Sequence, residues 1–306
     1  MLRIFFIALS ENRMLRRFAE RSRIGRRMSG RFVAGDTVED AIRSTAEVNR
    51  LGMSVTLDNL GENVTDASEA RASAALYSTL LDEIERRKLD ANVSLKLTHM
   101  GLDVDPELAE SITNELVFRA AAIDNFVRVD MEGSDYTDRT LEAVYALHAK
   151  EENRGHVGAV IQSYLRRSEE DVRKLCSEGI RIRLCKGAYR EPPEIAYQKK
   201  SEVDGNFVAL MKILLKSGIY HGIATHDEKM IDATIEFARS EGIAPDEFEF
   251  QMLYGIRRDL QERLVADGWG MRVYIPFGTE WYPYFMRRLA ERPANVLFIL
   301  KNLFRR

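Results

Sequence analysis

From residue 36 onward, short runs of branched and aromatic residues alternate with longer segments whose apolar residues recur at helical spacing. That alternation predicts a parallel sheet with covering helices. Thr37 with Asp40 forms a capping-box pattern that opens a helix, and Gly52 suits the position just past its end. The first strand is predicted at residues 54–57. A long helix follows over about 66–88, with Ala75, Leu80, Leu81 and Ile84 on its buried stripe. Strands at 92–97 and 126–131 flank a helix that starts where Asp105 caps Pro106. Five more strands read at 157–162, 181–185, 221–225, 248–252 and 272–275, and several intervening helices end at Gly179, Gly218, Gly242 and Gly268. Eight strands in about 220 residues match the pace of a closed barrel. The expectation is α/β: a TIM-like (β/α)8 barrel over residues 36–306, preceded by an N-terminal helical extension at 1–35.

A (β/α)8 barrel carries its reactive groups at the carboxyl ends of the strands. Here those ends are polar in strand after strand: Asp58 and Asn59, Lys96, Asp130, Gln162, Lys186, Thr225 with His226, Gln251, and finally Pro276 leading to Trp281. A single Lys or Asp is most often a solvated surface charge, but repetition at one end of a barrel argues against that for the set. Lys96 and Asp130 stand inside apolar strand runs, so each needs a partner, and the two are expected to serve one another.

The segment after the last strand reads Trp281-Tyr282-Pro283-Tyr284-Phe285-Met286-Arg287-Arg288. Adjacent arginines on a helix stand about 100° apart, so both reach one edge of a pocket. Arginine binds a carboxylate through planar paired hydrogen bonds, and the neighbouring aromatics suit an apolar ring. The alternative is an amphipathic helix showing two exposed arginines.

Composition narrows the classes. Of the 306 residues, 45% are hydrophobic and 30% charged, as in an ordinary globular protein. The net charge of -3 gives no field to draw the chain onto nucleic acid. Charge is uneven, because residues 1–31 hold nine Arg and two Glu. Such a segment suits a helical arm packed on the barrel, or peripheral contact with an anionic membrane. The opening apolar run is cut off at Glu11, too short for a secretory core or a membrane span. Only Cys176 and Cys185 are present, which excludes a disulfide framework and a Cys-rich zinc site and fits a reducing, cytoplasmic setting.

There is no G-x-G-x-x-G fingerprint, no phosphate-binding P-loop, no H-E-x-x-H and no G-x-S-x-G elbow. The five His residues are scattered, and only His226 stands at a strand end. No metal centre is expected.

Several segments together resemble the proline dehydrogenases, flavoenzymes of amino-acid catabolism. They are residues 93–98 (V-S-L-K-L-T), 127–132 (V-R-V-D-M-E), 183–189 (R-L-C-K-G-A-Y), 224–226 (A-T-H), 250–255 (F-Q-M-L-Y-G), 274–278 (Y-I-P-F-G) and 281–295. The R-L-x-K-G-A-Y run and the paired-arginine helix are the most diagnostic. Cys185 stands where the family commonly has valine. The resemblance implies a distorted barrel with FAD at the strand carboxyl ends and a final helix over the barrel mouth. By it, Arg287, Arg288 and Lys96 hold the L-proline carboxylate, Asp130 pairs with Lys96, and Tyr274 and Tyr284 wall the ring. Arg183 is implied beside the flavin N5. Gln162, the Lys186-Gly187-Ala188 stretch, Thr225 with His226, and the backbone of Met131 are implied to contact FAD. The implied reaction is hydride transfer from proline to the flavin, giving pyrroline-5-carboxylate, with a membrane quinone as electron acceptor. Bifunctional relatives carry an aldehyde dehydrogenase domain that this chain is too short to hold, so a separate pyrroline-5-carboxylate dehydrogenase is expected downstream.

Three other readings remain open on sequence. Hydroxyproline differs from proline by one hydroxyl, which pocket shape decides. A Schiff-base aldolase would use Lys96 or Lys186 as nucleophile. A membrane-surface adaptor would use the basic termini, but leaves the polar strand ends without purpose.

Overall fold

Each strand of this chain is buried on both faces, one by covering helices and the other by the interior of a closed sheet. The computed structural model describes residues 30–61, 63–282, Tyr284 and Met286. Its strands are β1 (Ser54–Asn59), β2 (Ala91–Leu95), β3 (Val127–Val129), β4 (Val157–Gln162), β5 (Arg181–Cys185), β6 (His221–Ala224), β7 (Phe248–Leu253) and β8 (Met271–Phe277). They pair in parallel in chain order, and β8 pairs with β1 to close an eight-stranded barrel. The predicted fold class therefore stands.

The helices are α1 (Val38–Asn49), α2 (Ala67–Arg87), α3 (Pro106–Ala122), α4 (Thr137–Ala149), α5 (Ser168–Ser177), α6 (Lys200–Leu215), α7 (Glu228–Glu241) and α8 (Arg258–Ala266). Local signals set their ends. Thr37 and Asp40 form the capping box of α1, and Asp105 caps α3 with proline in its first turn. Gly179, Gly218, Gly242 and Gly268 all take positive φ, between 71° and 86°, where the helices α5 to α8 stop. Ala75 is a correction: it is exposed, and the buried stripe of α2 runs through Ala70, Ser73, Tyr77, Leu80, Leu81 and Ile84. Two residues from Ser73 and from Tyr77, Ala75 is turned about 200° away from both.

Strand β3 is shorter than the predicted 126–131. Beyond Val129 the amide of Gln162 takes the carbonyls of Met131 and Glu132, at 3.3 and 2.9 Å, so these groups are withdrawn from a sheet ladder. The outward strand residues Leu57, Val93, Leu95, Leu184 and Ile275 are at 0% exposure between sheet and helices. Burial of each such side chain contributes about 1.5–3 kcal/mol. The core that holds the fold thus lies outside the barrel, and its interior is left for polar residues.

Helix α1 precedes β1 and packs against both β8 and β1. It fills the outer position that a helix following β8 would otherwise take. The chain after β8 goes instead to the carboxyl end of the barrel. There Trp281, Tyr282, Tyr284 and Met286 cluster with Phe32, Val33, Leu60 and Ile256. Residues 31–35 run along the same end: Ala34 N–H donates to Pro276 O at 2.9 Å and Gly278 N–H to Gly35 O at 2.8 Å. The expected N-terminal helical extension lies mostly outside the described residues, and residues 30–33 of it form turns and a bend.

Candidate active site

Alternation along the strands puts every second residue into the barrel lumen, and on β2, β3, β5, β7 and β8 most of those residues are polar. In 93–96, V-S-L-K sends Ser94 and Lys96 inward; V-R-V-D sends Arg128 and Asp130; R-I-R sends Arg181 and Arg183. F-E-F-Q does the same for Glu249 and Gln251, and R-V-Y for Arg272 and Tyr274. Burying so many charges is stable only if they satisfy each other.

Toward the amino ends of the strands, the Glu249 carboxylate accepts from Arg272 Nε at 2.7 Å, Gln251 Nε2 at 2.6 Å and the Tyr220 hydroxyl at 3.1 Å. Burial pushes its carboxyl up, but Arg272 and these hydrogen bonds outweigh it and the net shift is downward. Arg272 Nη1 also donates to Val55 O at 2.7 Å. Among the described residues Arg128 forms no ion pair with a carboxylate. It donates to the carbonyls of Ala159 and Arg181, at 3.1 and 2.7 Å, and stacks 4.6 Å from the Phe126 ring centroid. Burial, then the charges of Arg183 and Arg181, lower its pKa well below the usual value.

Toward the carboxyl ends lies a second group, centred on Arg183. Arg183 is 6% exposed. Its Nε donates to Gln251 Oε1 at 2.6 Å, and its Nη1 to Asp130 Oδ1 at 2.7 Å and Ser94 Oγ at 3.3 Å. Its guanidinium stands 5.1 Å from the Tyr274 ring centroid. Asp130 also accepts from Ser94 Oγ at 2.7 Å and from the Tyr274 hydroxyl at 2.9 Å. Burial, followed by the charges of Asp130 and Asp58, holds the Tyr274 phenol well above its ordinary pKa.

The expected pair of Lys96 with Asp130 is a correction. The cation on Asp130 is Arg183, and Lys96 Nζ lies 3.8 Å from Asp58 Oδ2. The expectation rested on two buried charges each needing a partner, and on the family resemblance. In the barrel, Arg183 reaches Asp130 across the lumen, and β1 brings Asp58 to Lys96.

Other candidates are distributed around the same end. Gln162 is buried, and its Oε1 has no hydrogen-bond partner. Met131 is buried beside it, with its carbonyl accepting from Gln162. Lys186 is tied to Asp204 at 2.5 Å and Asp227 at 2.8 Å, and Lys200 joins the same two carboxylates. Gly187 has φ +104°, and a Cβ there would come 2.1 Å from the Tyr164 ring, so only glycine lets the chain pass. Ala188 follows it in the β5–α6 loop. Thr225 Oγ1 accepts the Asp227 N–H at 3.1 Å, and His226 Nε2 accepts the Leu253 N–H at 2.9 Å. Tyr284 is buried in the aromatic cluster at the barrel mouth. Arg287 and Arg288 lie outside the described residues.

Sequence reasoning gave no role to Ser94, Gln251 or Asp58. Ser94 and Gln251 hold Arg183 in place. The available signal was strand alternation, which marks all three as inward-facing. Among the described residues no group of His, Cys, Asp and Glu is arranged to hold a metal ion. No described helix is long and apolar enough to cross a membrane.

The arrangement is a positively charged lumen in which Lys96, Arg128, Arg183 and Arg272 face Asp58, Asp130 and Glu249. Such a site favours an anionic ligand or a reaction that develops negative charge. Two buried polar atoms at its upper end, Arg183 Nη2 and Gln162 Oε1, have no partner.

Comparison with known proteins gives the family. The family model described as proline dehydrogenase matches residues 41–301. Proline dehydrogenase 1 of Bacillus subtilis subsp. natto is 41% identical over 308 aligned residues, covering 100% of both chains. Proline dehydrogenase of Deinococcus radiodurans is 39% identical over 281 residues, covering 91% of this chain and 90% of that one. The crystal structure of proline utilization A (PutA) from Bdellovibrio bacteriovorus, inactivated by N-propargylglycine, superposes with a TM-score of 0.81 at 27% identity. That match covers 86% of this chain and 32% of the PutA chain, so this chain spans about a third of that longer protein. With a family match over most of its length and full-length relatives at this identity, the chain belongs to the proline dehydrogenase family of oxidoreductases.

Proposed function

We propose that this chain oxidises L-proline at the carboxyl end of its barrel with FAD as cofactor, giving pyrroline-5-carboxylate, and that a quinone takes the electrons. The observation that carries the cofactor assignment is the pair of unpartnered buried atoms, a donor on Arg183 and an acceptor on Gln162. Native interiors rarely leave such atoms unmade, and a flavin ring edge offers both the acceptor and the donor they lack. The residues present therefore fit the group. Arg183, Gln162, the backbone of Met131, Lys186, Gly187 and Ala188, and Thr225 with His226 would hold it. When bound, FAD accepts the hydride that leaves the proline carbon next to nitrogen.

The protein's own part is orientation and charge. Lys96, with Arg287 and Arg288, holds the substrate carboxylate, and Tyr274 and Tyr284 wall the ring. Arg183, fixed by Asp130 and Gln251, keeps a positive charge where negative charge develops during the reaction. Asp130 orders both Arg183 and Tyr274. The basic character of residues 1–31 supports peripheral contact with an anionic membrane, where a quinone resides.

The visible spectrum tests the reading. Purified holoprotein is expected to show a flavin spectrum that proline bleaches; colourless protein that cannot be reconstituted with FAD would defeat it. N-propargylglycine inactivates the Bdellovibrio PutA and carries the carboxylate and secondary amine of proline. It is expected to inactivate this chain in a time-dependent way that excess proline prevents. Arg288→Lys is expected to raise KM for proline while FAD stays bound, and an unchanged KM would remove the clamp role.

A further inference from the structure

Each buried carboxylate of the lumen has a cation close by. Asp58 lies 3.8 Å from Lys96, Asp130 2.7 Å from Arg183, and Glu249 2.7 Å from Arg272. A close pair of opposite charges exerts only a weak field at a distance. Two inward-facing guanidiniums stand outside this scheme, because among the described residues neither Arg128 nor Arg181 forms an ion pair with a carboxylate. Arg181 is half-buried, so water screens it. Arg128 is 3% exposed and has no such screening.

The contacts of Arg128 support a cation without neutralising it. Arginine stays protonated throughout the ordinary pH range. Its Nη1 donates to Arg181 O at 2.7 Å and to Ala159 O at 3.1 Å, and the Phe126 ring, with its centroid 4.6 Å away, offers it a negative face. Strand β4 leaves space for the group: a Cβ at Gly158 would come 2.8 Å from Arg128 Nη1 and 2.8 Å from the Phe126 ring. Burial, then the charges of Arg183 and Arg181, lower the pKa of Arg128. The charge of Arg183 therefore reaches Arg128, and by reciprocity that of Arg128 reaches the carboxyl end of the lumen, where Arg183 Nη2 and Gln162 Oε1 stand open.

Hydride transfer breaks a C–H bond of the substrate and forms an N–H bond on the flavin. The flavin takes both electrons and becomes an anion, and the substrate becomes a cationic imine. A positive charge fixed in the barrel beneath the site favours the reduced cofactor. We propose that Arg128 acts on the redox step through its charge, without touching the reacting atoms: it is the buried cation that no described carboxylate pairs, and it raises the reduction potential of the flavin. The proposal rests on FAD occupying the carboxyl end of the barrel. Arg128 is two residues below Asp130, about 7 Å of strand. A unit charge acting over about 12 Å at an effective dielectric of about 20 changes an equilibrium constant roughly tenfold.

The test is the midpoint potential of bound FAD, titrated with dithionite against a reference dye, in wild-type holoenzyme and in Arg128→Lys, Arg128→Gln and Arg128→Met. No proline is present, so substrate binding does not enter. Lysine keeps the charge, glutamine keeps a donor for the carbonyls without the charge, and methionine keeps only the volume. The lysine variant is expected to match wild type. Glutamine and methionine are expected to shift together to a lower potential by a roughly tenfold change in the two-electron equilibrium, about 30 mV. Neutral variants with the potential of wild type overturn the proposal. So does a lysine variant shifted as far as glutamine, because shape and not charge would then set the potential. Failure of both neutral variants to fold overturns it as well, since Arg128 would then be a strut. Wild-type protein that cannot be reconstituted with FAD defeats the cofactor reading first, and the proposal with it.

Discussion

Replacing Arg183 with lysine keeps a positive charge in the lumen but removes the planar fork. Arg183 serves Gln251 through Nε, and Asp130 and Ser94 through Nη1, while stacking on Tyr274. A lysine ammonium can reach Asp130 as a point charge, but cannot serve Gln251 from the same place. Leaving the Gln251 Oε1 buried and unsatisfied costs about 1–3 kcal/mol, and losing a desolvated stack costs about 0.5–2 kcal/mol. The middle of that range, about 3 kcal/mol, is a factor of roughly 150 in a rate constant. Arg183→Met also strands Asp130 without its cation, which by itself costs about 3–5 kcal/mol. Urea unfolding of both variants gives the stability change, and kcat/KM for proline with an artificial acceptor gives the kinetic one. The lysine variant is expected to fold, retain flavin and lose about a hundredfold in kcat/KM, with the methionine variant less stable than either. A lysine variant within about threefold of wild type would refute the reasoning, because Arg183 would then be a replaceable point charge. A loss of stability without loss of turnover would make it only a strut.

Two further predictions probe the network from its edges. A Cβ at Gly222 would come 2.3 Å from Gln251 Nε2, so Gly222→Ala must displace the amide that holds Arg183; kcat/KM is expected to fall about tenfold with a stability loss of about 1–3 kcal/mol, and unchanged turnover would show that Arg183 needs no help from Gln251. His221 accepts the Ile182 N–H at its Nδ1, and burial, then Arg128 and Arg181, lower its pKa to about 3. The unfolded chain therefore binds a proton that the folded one refuses: this contribution is full above about pH 6.5 and is lost as pH falls toward 3, at up to about 1.4 kcal/mol per pH unit. Urea unfolding of wild type and His221→Gln between pH 6.5 and 5 should give a flatter slope for the variant, and equal slopes would remove the assignment.

The barrel was legible because its signals are local. Strand runs of three to seven residues, the Thr37 and Asp105 caps and the glycines after α5 to α8 each act within one turn of chain. The site was legible in outline for the same reason: polar residues at strand ends point to one face whatever the register. Partner choice was not legible. Pairing Lys96 with Asp130 followed from each needing a buried partner, whereas barrel closure lets β5 and β8 reach Asp130 across the lumen. Register and closure are properties of the whole sheet, and no short window of sequence encodes them. Ala75 failed differently, since two overlapping apolar stripes fit α2 and only packing selects between them.

The distribution of apolar residues explains why this barrel can be both stable and charged within. A barrel filled by branched apolar side chains draws stability from its lumen. Here the fully buried apolar layer lies between strands and helices, so the lumen need only avoid loss, and it does so by closing its hydrogen bonds. At the amino end closure is nearly complete: Glu249 has three donors, and Arg272 also reaches a backbone carbonyl. The unpartnered Arg128 Nε belongs to a guanidinium stacked on Phe126, where a ring face replaces a hydrogen-bond acceptor. At the carboxyl end, Arg183 stacks on Tyr274, but its Nη2 and the Gln162 Oε1 are left without a hydrogen-bond partner. A network closed at one end and open at the other costs energy only where a ligand can repay it. The polar lumen is therefore directional, and the direction is toward the strand carboxyl ends, where the proposed site lies.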